Sequence, residues 1–244
     1  MKALVLAAGR GTRMKELTAD RPKPMVPLLG KPILERILAG LRSAGVKEFV
    51  IVTGYRAEAI ESHFGDGASR ALSIEYIRQA VLNGNAKAVE LARGAMGDAP
   101  FFLTFGDIIA HPSNYARLAE SFRARPADLL MSLVWLQDVS RHSSVVCDGE
   151  GRVLDIEEKP DPAAVKSHWN SAAIFIAHPI LFEYTARLQP SKRGEYELTD
   201  AIRAMAKDPQ RLVRAEKIEG YWGDLADADE LAAMEDRLRQ DGLP

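Results

Sequence analysis

The chain has 244 residues, 47% of them hydrophobic and 27% charged, which is ample for the core of one large α/β domain or two small ones. With 32 basic against 34 acidic residues the formal charge is only -2, which excludes a global field that recruits nucleic acid or anionic lipid. Any anion must be met by a local cluster. The single cysteine, Cys147, excludes an internal disulfide and a thiolate metal cage and suits a reducing, cytoplasmic setting.

KALVLA (2–7) reads as a buried strand. Its apolar run is too short for a membrane span or a signal-peptide core and ends in Gly-Arg-Gly, so neither membrane contact nor export is expected. In PILERILAGLRSAG, Ile33, Leu34, Ile37, Leu38 and Leu41 share one helical face, and Gly45 stands where a helix stops. EFVIVTG, LSIEYI and FFLTFGD are further strands, with helices over 57–64 and 85–95 between them. The alternation predicts an α/β fold: a Rossmann-like mixed, mainly parallel sheet flanked by helices, whose ligands gather at the carboxyl ends of the strands.

Beyond Asp107 the pattern is mixed. A helix is expected over 115–123, a strand at DLLMSLVWL, and a small antiparallel lobe at SSVVCD and RVLDIEEKP, joined by Asp148-Gly149-Glu150-Gly151. NSAAIFIA is another strand, and TDAIRAMA and ADELAAMEDRLR are amphipathic helices. No repeat or flexible linker interrupts the chain, which reads as a single domain over 1–244 with two lobes, 1–110 and, with a terminal helix, 111–244.

The stretch LAAGRGTRM places Gly9 and Gly11 at the end of the first strand, where a backbone without Cβ atoms can wrap an anion with its amides. Between Arg10 and Lys23 lie Arg10, Arg13, Lys15, Arg21 and Lys23 against Glu16 and Asp20, a local charge of about +3. Prolines in RPKPMVPLLGKP stiffen the segment that carries Lys23. The spacing fits neither a dinucleotide fingerprint, since Met14 stands where the third glycine belongs, nor a P-loop. Taken alone, a strand-to-turn GxG with solvated arginines is an equally valid reading.

The run L-A-A-G-x-G-T-R-M followed by P-K-P resembles the sugar-1-phosphate nucleotidyltransferase family, the nucleotide-sugar pyrophosphorylases. Four later blocks resemble that family in order: Gly106-Asp107, EEKP, GEYELTD and YWGDLADADEL. The resemblance implies that Leu6, Ala7, Ala8, Gly9, Gly11 and Thr12 wrap the nucleotide and that Arg13 and Lys23 hold the triphosphate. It further implies that Asp107 and Asp224 bind a catalytic Mg2+, that Lys159 meets the sugar phosphate, and that Glu157, Asn170 and Glu195 belong to the sugar side. The substrates it implies are a nucleoside triphosphate and a sugar 1-phosphate, with 1–110 as the nucleotide-binding half and 111–244, with the terminal helix, as the sugar-binding half. Because the attacking phosphate is already ionised, no general base is needed; the five histidines are indeed scattered without metal-ligand spacing.

Gln79 and Gly84 match the family's base-selecting pair, and a glutamine suits the N3–H and O4 edge of uracil or thymine, favouring UTP or dTTP. Asn85 and Lys87 depart from the usual block, as does Arg141-His142-Ser143-Ser144 where a tyrosine-glycine pair is common, so the sugar is not named. The chain ends soon after Asp224, which implies a compact enzyme of one activity. Two alternatives stay open: CMP transfer to phosphocholine or another phosphorylated acceptor, and a non-catalytic nucleotide-sugar-binding regulatory subunit. An apolar helix face serves a core or a homo-oligomer equally well.

Overall fold

The computed structural model describes residues 1–11, 14 and 17–242. Its strands are β1 (Ala3–Ala7), β2 (Pro27–Leu28), β3 (Lys31–Pro32), β4 (Glu48–Thr53), β5 (Ser73–Arg78), β6 (Phe101–Phe105), β7 (Ile108–Ala110), β8 (Leu129–Trp135), β9 (Ser143–Cys147), β10 (Val153–Glu158), β11 (Trp169–Ala177), β12 (Val213–Lys217) and β13 (Trp222–Asp224). Its α-helices are α1 (Ile33–Ser43), α2 (Ala57–Phe64), α3 (Asn85–Leu91), α4 (Arg93–Met96), α5 (Ser113–Ala124), α6 (Leu181–Ala186), α7 (Leu198–Lys207) and α8 (Ala228–Gln240).

Seven strands form the central sheet in the order β12-β8-β11-β6-β1-β4-β5. Only β11 runs antiparallel to its neighbours. The sheet is therefore mainly parallel, as the alternation predicts, and both halves of the chain supply strands to it. The small antiparallel lobe is the β9–β10 pair.

Strands buried on both sides explain the unbroken apolar runs. Along β1, Ala3, Val5 and Ala7 join one core, while Leu4 and Leu6 join the other. β4 divides the same way, Phe49 and Ile51 against Val50 and Val52. The first core is roofed by α1, α2, α5 and α8, and the five residues assigned to the inner face of α1 are all buried. The second core lies under α3, α6 and α7 and takes in Val145, Val153 and Ile156 of the small lobe.

The helix expected over 85–95 is two pieces. α3 ends at Leu91, and the amide of the capping Ala92 donates back to Val89 and Glu90, a tightened last turn that breaks the ladder before α4. The strands β2, β3, β7 and β13 span too few residues to show a period, and β12 and the helix α6 are likewise absent from the sequence-based expectation. Among the described residues no helix is long and apolar enough to cross a membrane.

Candidate functional site

Two adjoining cavities open at the carboxyl ends of β1 and β6. The first, about 460 Å3, is floored by Leu6, Ala7, Ala8, Gly9 and Gly11, the end of β1 and its turn, with Lys23, Gln79 and Gly84 around it. The second, about 210 Å3, lies toward the β9–β10 lobe and is lined by Lys159, Asn170, Trp222 and Asp224 among others. Asn85, Phe105 and Asp107 line both.

The first turn is shaped by one glycine. Gly11 has φ of 64°, and a Cβ there would sit 2.7 Å from the Cβ of Lys23, so any side chain would displace the lysine. The Gly11 carbonyl accepts from Met14 N at 3.0 Å and Thr18 Oγ1 at 3.1 Å. Thr12 and Arg13, the other two residues assigned to this turn, lie outside the described residues.

Lys23 starts a 3-10 turn, Lys23–Met25, between Pro22 and Pro24. Its side chain is only 6% exposed, and Nζ donates to Asp107 Oδ2 at 2.6 Å and to Asp224 Oδ1 at 3.1 Å. Burial works against its charge, but the two carboxylates outweigh that and hold the ammonium above the usual lysine value. Asp107 follows β6. Asp224 reaches it because β13 pairs with β7, setting Asp224 opposite Ile108. Among the described residues no cluster of three or more acidic, histidine or cysteine side chains could hold a metal. Two carboxylates that converge on one cation nevertheless fit Mg2+, which takes oxygen ligands and fills its remaining positions with phosphate and water.

Gln79 is 6% exposed, and its Nε2 donates to Gly84 O at 3.1 Å. Since a carbonyl can only accept, the amide orientation is settled and Oε1 is left to accept. That is the polarity an N3–H of uracil or thymine requires.

Lys159 lines the second cavity, in a left-handed conformation at φ of 48° with its amide donating to His142 O at 2.6 Å. Asn170 is buried there, and its Oδ1 accepts from Ser143 N at 3.0 Å and Ser143 Oγ at 2.9 Å, leaving the NH2 end to donate. Ser143 thus orients Asn170. Ser144 is occupied structurally, donating to Ser167 O and accepting from Ser167 N.

Two sequence assignments come out differently. Glu157 lines neither cavity; its neighbour Glu158 lines the second. The cause is a register shift in β10 between Val153 and Asp155, which changes which side chains alternate inward beyond it. Glu195 lines the first cavity rather than the second. Burial, with Glu197 beside it, pushes the Glu158 carboxyl up to about 7 against the pull of Arg193 and Lys159. Glu197, 4% exposed, is itself paired with Arg193.

Arg141, His142 and Thr199 also line the second cavity and were not singled out as site residues. In the sequence Arg141 and His142 stand only as departures from the family pattern, and Thr199 carries no local signal. The Thr199 hydroxyl lies by the Glu158 carboxyl and favours its charged form.

A profile described as nucleotidyl transferase matches residues 2–241. The glucose-1-phosphate thymidylyltransferase of Streptomyces griseus is 34% identical over 233 residues, 95% of this chain and 64% of that protein. The UTP-glucose-1-phosphate uridylyltransferase AglF of Haloferax volcanii is 32% identical over 243 residues, 99% of this chain and 98% of that one. The bifunctional protein GlmU of Methanocaldococcus jannaschii is 32% identical over 92% of this chain, which spans 51% of it. The chain therefore matches AglF almost end to end but spans less than two thirds of the thymidylyltransferase and about half of GlmU. A solved UDP-glucose pyrophosphorylase complexed with UDP-glucose shares the fold, with a TM-score of 0.88 at 24% identity over 98% of both chains.

Proposed function

The chain belongs to the nucleotidyl transferase family, and from that premise we propose that it transfers UMP or dTMP from UTP or dTTP to a sugar 1-phosphate, forming a nucleotide sugar and releasing pyrophosphate. One observation carries the reading: Asp107, paired with Lys23 beside Asp224, lines both cavities. Two anionic substrates held one in each cavity would meet at that carboxylate.

In this reading a phosphate oxygen of the sugar 1-phosphate attacks the α-phosphorus, a new P–O bond forms, and the bond from the α-phosphorus to the oxygen shared with the β-phosphate breaks. The leaving electron pair departs on pyrophosphate. Lys159, with Arg141 nearby, holds the acceptor phosphate, while the amides of the turn 6–11 and Lys23 hold the triphosphate. Arg13 is assigned to the triphosphate from its place in the motif. Gln79 Oε1 accepts the N3–H of the base; cytosine has no hydrogen there, so it is disfavoured.

Asp107 and Asp224 would hold Mg2+, which when bound supplies positive charge to the phosphate oxygens of the transition state. The protein's own work is to bring like-charged groups together in line, which needs fixed cations and dipoles rather than a base.

The test is a panel of four nucleoside triphosphates against several sugar 1-phosphates and phosphocholine, with Mg2+, following pyrophosphate release and the product mass. Nucleotide-sugar formation from UTP or dTTP is expected. CMP-phosphocholine as main product, or tight nucleotide-sugar binding without pyrophosphate release, would overturn the proposal.

A further inference from the structure

The loop carrying Gln79 and Gly84 is tied directly to the start of α7. Tyr196 N donates to Asn83 O at 2.9 Å, Ala86 N donates to Tyr196 O at 3.0 Å, and Leu198 N donates to Asn85 Oδ1 at 2.6 Å. The last bond replaces a missing cap. The residue preceding α7, Glu197, makes no side-chain hydrogen bond to the helix, and the first helical N–H is instead satisfied by a side chain from a different element.

That bond also fixes which way the Asn85 amide faces. Leu198 N can only donate, so Oδ1 meets it and the NH2 group is the remaining end. Among the described residues Nδ2 has no hydrogen-bond partner, and Asn85 lines both cavities. The NH2 group of Asn85, held in place by the cap, is therefore left to a ligand.

We propose that Asn85 is a specificity-determining residue: its Oδ1 pins the start of α7, and its Nδ2 donates to a hydroxyl of the acceptor sugar where the two cavities meet. The inference rests on the sugar 1-phosphate reading above. A leucine at this position is close in volume but has neither the cap nor the donor, so it separates hydrogen bonding from size.

The experiment compares the wild type with Asn85→Leu and Asn85→Asp, using the best sugar 1-phosphate from the acceptor panel and its series of monodeoxy analogues. The wild type should prefer the parent over one analogue by about tenfold or more in kcat/KM, since a site built to hydrogen-bond a hydroxyl rejects its absence. Asn85→Leu should reduce that preference to near unity. Asn85→Asp, which keeps an oxygen for Leu198 N, should retain the wild-type Tm while losing the preference, and KM for the triphosphate should change little in either variant.

If Asn85→Leu keeps the wild-type preference over every analogue, the proposal is wrong while the enzyme assignment stands. The same holds if Asn85→Asp retains the preference. If the wild type turns over no sugar 1-phosphate at all, the functional reading fails first and the inference falls with it.

Discussion

Asp107 and Asp224 share a single ammonium, Lys23 Nζ, at 2.6 and 3.1 Å. Carboxylates this close repel unless a cation lies with them, and the pair is held there by the β7–β13 ladder rather than by any local sequence. Either aspartate is thus placed to matter for chemistry without being needed for the main cores. Asp107→Asn and Asp224→Asn are expected to lower kcat/KM for pyrophosphate release by about a hundredfold or more, with circular dichroism spectra like the wild type's.

Replacing Lys23 tests the same pair from the other side. Lys23→Met leaves the two carboxylates facing each other without the ammonium, which should cost about 2 kcal/mol of stability, less than for a fully buried pair because both aspartates are partly exposed. Millimolar Mg2+ should then raise the Tm of the variant more than that of the wild type. Thermal denaturation with and without the ion reads this directly; equal shifts in both proteins would count against a cation site at the two aspartates.

Glu158 gives a pH signature. Its carboxyl stands at about 7 in the folded chain, pushed up by burial and then by Glu197, against about 4.3 for an unperturbed glutamate. The folded state therefore binds more protons than the unfolded one between these values, and this contribution to stability, fully present below the lower value, is lost as pH rises toward and through 7. Glu158→Gln has no such group. Urea denaturation from pH 4.5 to 8 should show the wild type losing on the order of 2 kcal/mol relative to the variant across that window, with a flat difference above it.

Gly84 tests the seam between loop and helix. It has φ of 126°, and a Cβ there would lie 2.4 Å from the backbone oxygen of Tyr196. Gly84→Ala is expected to destabilise the protein by about 3 kcal/mol, from strain and overpacking together. Because Gly84 O also receives Gln79 Nε2, its preference for UTP or dTTP over CTP should narrow. Denaturant midpoints and competition between triphosphates check both effects.

Much of the frame was legible beforehand because its signals are local. The apolar run of β1, the periodic face of α1, the glycine turn and the order of the motif blocks all depend on neighbours within a few positions, and burial on both sheet faces follows from unbroken apolar strands. The identity of a glutamine and a glycine five residues apart was readable for the same reason, although the bond between them was not.

What the tertiary structure decided depends on pairing between distant segments. A register shift in β10 puts Glu158, not Glu157, on the second cavity, and a one-residue offset in a strand leaves no trace in composition. The three residues of β13 are too short to announce a strand, yet their pairing with β7 joins Asp224 to Asp107. Asn85 looked only like a departure from a pattern until Leu198 met it from α7. Periodicity is set by the geometry of one element, whereas register and cross-chain hydrogen bonds are set by how elements pack, and the site is assembled from the second kind of information.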